Sequence, residues 1–314
     1  MDGRTNFRFR SRSKMSPKEL EMFLNLAVNG VMLGSLYGLI AMGFILIFKA
    51  TGVFNLAQGE LVMIGGFFFW WSLSILGLSP VLAVLLALVF ATLLAVGIEK
   101  FTMRPLIGEP VLSVVMMTMA ISMILRGGSL IIWNPDVKSC PSIFPQNYIT
   151  LGSVSIAPYL LAGFLLSLLM LLFFWLFFAY TQLGLKMRCV SDNQVGAQSI
   201  GISISRIMTA TWIISCSAAT LGAIIFVSGI GTVSVDLAEV ALKAFAVGLL
   251  AGLESLPGAL IAGAIVGVGE ILASFYIDPL VGGGMGELFP FLVMMAILMI
   301  RPHGLFGLKK IERV

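Results

Sequence analysis

Runs of about twenty apolar residues recur along this chain, and short polar stretches separate them. Each run matches the length a helix needs to cross the roughly 30 Å hydrocarbon core of a bilayer. The first extends from about Phe23 to Phe48, and others cover Val111 to Trp133, Pro158 to Tyr180 and Ile207 to Val227. Only 11% of the 314 residues are charged and 59% are hydrophobic. A soluble domain carries about twice that share of charge. The chain therefore reads as an all-α, polytopic membrane protein. The formal net charge of +4 needs no nucleic-acid partner, because loops beside anionic lipid are basic in any case.

Two polar breaks interrupt the apolar pattern. Lys49 to Glu60, KATGVFNLAQGE, is Gly-punctuated, and apolar sequence resumes at once and continues to about Leu78. The second lies in 239–262. Glu239 precedes a half-length apolar stretch containing Lys243, and Gly252-Leu-Glu-Ser-Leu-Pro-Gly258 follows. Lipid cannot satisfy an unwound backbone, so such breaks must line a cavity or be covered by protein. Paired interruptions in corresponding halves point to a translocation path. Asn55, Gln58, Glu60 and Glu254 are the candidate pathway residues, with Glu60 alternatively pairing with Lys49 or Lys243. Two ordinary interhelical turns are the bland alternative. In the first run, Gly30, Gly34, Gly38 and Gly43 form a small-residue stripe suited to close helix packing.

The other spans begin at Pro80, ending near Glu99-Lys100, at Ala259, ending at Tyr276, and at Glu287, ending at Ile300. Arg126 falls inside the Val111–Trp133 span and needs either a carboxylate partner or a route to the interface. Lys100 and Arg104 in 100–109, Lys186, Arg188 and Arg206 in 181–206, and Arg301, Lys309, Lys310 and Arg313 in the tail place these segments in the cytoplasm. The loop 134–157 falls outside. With 240–252 crossing as a short helix there are roughly nine passes, each near the length a crossing needs. Parity then puts the N-terminus outside and the C-terminus inside. Residues 1–21 are expected to be a basic, disordered extension with Met15 as an alternative start, 22–307 the transmembrane domain, and 308–314 a cytoplasmic tail. The six Lys and Arg residues in 1–20 oppose the parity argument.

The polar segment Thr181–Arg206 carries its own helix signal. Ser191 is a candidate N-cap, Asp192 suits the positive dipole end, and Gln194 stands three residues on, as in a capping box. Gly201 offers a stop. Gly196 and Ala197 leave one side of this 191–200 helix nearly bare, which suits docking into a partner's groove; a polar turn is the alternative. No Gly-x-x-x-x-Gly-Lys-Ser/Thr window occurs, so no phosphate-binding loop is expected. Three cysteines at unrelated spacings and a single histidine, His303, suggest neither a disulfide framework nor a metal site. No catalytic set and no cofactor are expected.

The run GSLYGLIAMGFILIFKATGVFNLAQGELVMIGGF resembles the opening of branched-chain amino acid ABC transporter permeases, where a similar stretch reads G-x-x-N-x-A-H-G-x-x-x-M-x-G. MRPLIGEP is similar to the family's first cytoplasmic loop, LGLKMRCVSDNQVGAQSIGI to its coupling loop, and LKAFAVGLLAGLESLPGALIAG to its late signature. The likeness spans about residues 22–307. Gln58 stands where many members have His, and Lys49 at a position usually small or aromatic. Related importers carry urea and short amides, so the substrate stays open between these and branched-chain amino acids. The resemblance implies a ribose-type permease fold of 8–9 helices with inverted halves. It also implies an inner-membrane importer subunit working with a sister permease, two ATPases and an external solute-binding protein. Ser191, Asp192, Gln194, Gly196, Ala197 and Gly201 would then form the ATPase-coupling element. A passive channel for small neutral solutes is the alternative function.

Overall fold

The computed structural model describes residues 16–307. It is almost wholly helical, and six helices are long and apolar enough to cross a membrane. The first, α1 (Pro17–Thr51), starts four residues before the expected extension ends. The reason is a capping box: Ser16 Oγ accepts from Glu19 N–H, the Glu19 side chain accepts from Ser16 N–H, and Pro17 occupies the first turn. The basic residues Arg4 to Lys14 and the tail 308–314 lie outside the described residues.

After a break come α2 (Gln58–Trp70), extended by a π turn over Trp71–Ile75, then α3 (Pro80–Ile98) and α4 (Val111–Trp133). Short strands β1 (Lys138–Ser139), β2 (Ile149–Leu151) and β3 (Val154–Ile156) fill the long loop. Next come α5 (Pro158–Tyr180), α6 (Gln182–Asp192), α7 (Gln194–Ser199) and α8 (Ile204–Ile230). Strand β4 (Thr232–Val233) pairs antiparallel with β1, and β2 pairs with β3. The chain closes with α9 (Leu237–Ala251), α10 (Leu256–Tyr276), α11 (Asp278–Val281) and α12 (Met285–Ile300).

Helix α1 is the axis, buried almost continuously from Gly34 to Ile47. It lies antiparallel against α10 at backbone distance. A Cβ on Gly34 would fall on the Gly263 carbonyl, and one on Gly267 would meet the Gly30 carbonyl and the Gly34 backbone. Helices in lipid gain little from burying apolar surface, so van der Waals contact of this kind carries the association. Gly43 points elsewhere, toward Gln58 and Ser215, because it follows Gly38 by five residues rather than four. The same logic shapes α3. Ala83, Ala87, Ala91 and Ala95 are buried, whereas Val81, Leu85, Val89 and Leu93 are exposed for lipid.

The two ends of the bundle are distinct. At one end Asn29 of α1 donates to the Ser155 carbonyl, Trp70 Nε1 donates to the Ser139 carbonyl, and β1 pairs with β4 just beyond α8. At the other, Gln194 Nε2 of α7 donates to the Ala50 carbonyl of α1, and Leu305 N–H donates to Leu250 at the end of α9. Helix α1 therefore enters at the end opposite α6 and α7. Lys100, Arg104, Lys186, Arg188, Arg206 and Arg301 gather at the α6–α7 end, which marks it as cytoplasmic.

Gly34→Leu should sharply reduce recovery of monodisperse protein from membranes, because overpacking a tight contact costs about 1–3 kcal/mol or more. Gly97→Leu should be tolerated, since the space around Gly97 is open; fluorescence-detected size exclusion compares the two. Cysteine labelling and a reporter fusion provide the topology check. A cysteine in place of the exposed Ser153, in the loop on the Asn29 end, should be labelled by an impermeant thiol reagent from outside, and a fusion after Val314 should report the cytoplasmic side.

Candidate functional site

Helix α9 and the α-helical part of α2, of 15 and 13 residues, are each only about 20 Å long, short of a full crossing, with a π turn carrying α2 on to Ile75. Their N-termini meet at mid-depth, where a Cβ on Gly59 would lie 2.9 Å from the Ala238 carbonyl. From there they run in opposite directions, α2 toward Ser139 and α9 toward Leu305. Glu60 is the third residue of α2 and Glu239 the third of α9, so each sits in a first turn, where a helix dipole favours a carboxylate.

A cavity of about 240 Å³ opens between these N-termini. Leu56, Gly59 and Glu60 line it from the break and α2, Ala238, Glu239, Ala241, Leu242 and Phe245 from α9, Ser122 and Arg126 from α4, and Phe44 from α1. Glu60 is 6% exposed, and among the described residues no hydrogen bond or ion pair reaches it. Arg126 and Glu239 are exposed on the open side. The depth of Arg126 follows from its helix: Leu56 N–H donates to Thr118, and Phe67 stacks on Trp133, so Arg126 lies between these levels beside Glu60.

Asn55 and Gln58 are 1% and 0% exposed and are not part of this lining. They build the break instead. Asn55 Oδ1 accepts from Ala57 N–H at 3.1 Å, and its Nδ2 donates to Gln58 Oε1 at 3.1 Å. Ser215 Oγ bridges Gln58 Oε1 and the Gly43 carbonyl, at 3.2 and 3.0 Å. Gly52 ends α1 in the left-handed conformation, with φ of 70°. Glu254 is elsewhere: with Asp192 it acts electrostatically on Lys49 at the α6–α7 end. The counterpart of Glu60 in the second half is thus Glu239, not Glu254. Neither expected lysine pairs with Glu60. Lys243 Nζ contacts Glu270 Oε1 at 2.6 Å, and the Tyr37 hydroxyl donates to the same oxygen at 3.2 Å.

The segment 181–206 also differs from its sequence reading. It forms two helices, and Ser191 and Asp192 end the first rather than start the second. The N-cap of α7 is Asn193, whose Oδ1 accepts from Gly196 N–H at 2.8 Å. A residue that caps one helix can also terminate its predecessor, and Asn193 does both with an extended φ of −156°. Ala197 faces inward, in a small core with Met187, Val190 and Ile207, while Gly196 faces out. Ile200 is 73% exposed just past α7, and Gly201 follows with φ of 83°.

One strong interaction escaped the sequence reading. Glu99, fully buried, takes a two-pronged contact from Arg104 (Nε–Oε1 3.1 Å, NH2–Oε2 2.8 Å) and a hydrogen bond from Thr209 Oγ1 at 2.8 Å. It ties the cytoplasmic end of α3 to the start of α8. The Glu-to-Arg spacing of five residues was its only local signal. The three cysteines are free, and burial pushes the Cys140 thiol up to about 11.

The sequence model of the family described as "Branched-chain amino acid transport system / permease component" matches residues 26–298. The high-affinity branched-chain amino acid transport system permease protein BraD of Pseudomonas aeruginosa is 26% identical over 309 residues, 94% of this chain and 99% of the relative. The permease protein LivH of Salmonella typhimurium is 27% identical, covering 93% of this chain and 98% of its own. The probable permease LivH of Methanocaldococcus jannaschii is 28% identical, covering 90% and 93%. No solved structure matches the chain. With the family model spanning nearly the whole bundle, both interrupted segments included, this chain belongs to the branched-chain amino acid transport system permease family.

Proposed function

We propose that this chain is the permease subunit of an ABC importer in the inner membrane, moving branched-chain amino acids or similar small solutes at the expense of ATP hydrolysed by partner subunits. The observation that carries the reading is the charged cavity at mid-depth, where two half-length helices of opposite direction begin. An irregular backbone at that depth belongs beside a solute path. The cavity is smaller than the roughly 300 Å³ at which drug-sized pockets begin, which suits a small solute. Its partners in this reading are a sister permease, two ATP-binding subunits and an external solute-binding protein.

Glu60 faces the path, and Asn55 and Gln58 hold the turn that presents it. The fold is of the ribose-permease type, with α2 and α9 as the corresponding interrupted helices of two inverted halves. Helices α6 and α7 form the ATPase-coupling element. Gly196, Gln198 and Ile200 offer its outer surface, Ala197 fixes it to the core, and Gln194 ties it directly to the last turn of α1. Movement imposed on α7 would reach the 52–57 break through that turn. Arg104 and Glu99 provide a second link, from the cytoplasmic loop to α8.

Reconstituted into proteoliposomes with its partners, the permease should accumulate L-leucine against a gradient only when ATP and the binding protein are supplied; equilibration without ATP would mark a passive channel instead. Gly196→Trp and Ile200→Asp should each abolish co-purification of the ATPase while leaving the permease inserted. Survival of the complex in both variants would remove α7 as the docking element. Ala197→Arg should act differently. It buries a charge in the α6–α8 core and should lower the yield of folded permease itself.

A further inference from the structure

Three charged groups approach one small cavity at mid-depth, and one of them, Glu60, is more than nine-tenths buried with no partner among the described residues. An ionised carboxylate in that position requires a compensating cation. Two other interior acids have theirs: Glu99 has Arg104, and Glu270 has Lys243. Arg126 lies at the same depth and likewise makes no ion pair among the described residues, although both carboxylates share its cavity. Phe44, Leu56, Leu242 and Phe245 supply the apolar wall.

We propose that this cavity is a transient binding site for the head group of a zwitterionic α-amino acid, with Glu60 receiving the ammonium, Arg126 the carboxylate, and the Phe44–Leu242–Phe245 wall the aliphatic side chain. The inference deepens the transport reading and rests on it. It selects among the solutes that reading leaves open. Urea and short amides carry neither charge and offer no counter-charge to Glu60 or Arg126, whereas a zwitterion offers one to each without adding net charge. A guanidinium offers a carboxylate two parallel donors, which fixes orientation as well as affinity. Glu239, exposed on the open side, adds a second carboxylate attractive to an approaching ammonium. Acyl chains would not solvate Arg126 and Glu239 at this depth, so that side faces water or another protein chain.

The test uses the complete importer, with Cys140, Cys189 and Cys216 replaced and Ser122→Cys introduced in the cavity wall. A charged, water-soluble methanethiosulfonate should label the introduced thiol, and L-leucine should protect it. Isoamylamine, which lacks the carboxylate, and 4-methylpentanoate, which lacks the ammonium, should each need roughly tenfold or more higher concentration for half-protection, the loss of one charge-assisted contact. Glu60→Gln and Arg126→Gln should weaken leucine protection by a similar factor, while Glu60→Asp and Arg126→Lys should restore part of it. Recovery of each variant as a monodisperse complex with its partners shows that the variants fold. Equal protection by the truncated analogues, or protection unaffected by both neutral substitutions, overturns the assignment. If wild-type importer still accumulates leucine with ATP in that case, the transport reading stands and only the head-group site fails.

Discussion

Backbone hydrogen bonding at membrane depth is the constraint on which this architecture depends. Six helices satisfy it internally. The 52–57 break cannot, and several of its groups find partners elsewhere. Gly52 N–H reaches back to Phe48, Leu56 N–H finds Thr118, Ala57 N–H finds Asn55, and Gln194 reaches the Ala50 carbonyl. Those partners come from α1, α4, α7 and the break itself. The break is therefore held partly by its own residues and partly by helices far away in sequence.

Charge is handled with the same economy. In a chain with so few ionisable groups, two interior carboxylates are locked into ion pairs, each assisted by a hydroxyl: Glu99 with Arg104 and Thr209, Glu270 with Lys243 and Tyr37. Breaking such a pair from one side leaves a buried charge and is strongly destabilising. These pairs join α3 to α8 and α9 to α10 and α1. Among the described residues, Glu60, Arg126 and Glu239 around the cavity make no such ion pair.

The cavity and the α6–α7 surface are connected by short routes. From Gln194 the path passes to Ala50, through the left-handed Gly52, and into the turn held by Asn55 and Gln58 before reaching Glu60. Ser215 fastens that turn to the middle of α8, whose first residues pack on α7 through Ile207 and Ala197. A displacement at α7 thus meets the turn from two sides.

The sequence alone did not determine the helix count: roughly nine passes were expected, and six helices are long and apolar enough to cross. It did determine the membrane class, the approximate limits of most long apolar helices and the existence of both breaks. These follow from properties read along one strand of chain: apolar run length against bilayer thickness, and Gly, Pro and polar residues where helix must stop. The glycine stripe Gly30–Gly34–Gly38 was legible because helical period is local; that its partner would be Gly263 and Gly267 was not. Tertiary structure decided which charges meet. Glu60 and Glu254 looked equivalent because each follows a glycine-rich break, yet α9 brings its other end, and Glu239, to the cavity. The local capping signal pointed to Ser191, whereas Asn193 caps α7 in the structure, with Ala197 packed onto Met187 and Ile207. Pairings between residues far apart in sequence depend on helix direction and crossing, and no single segment encodes those.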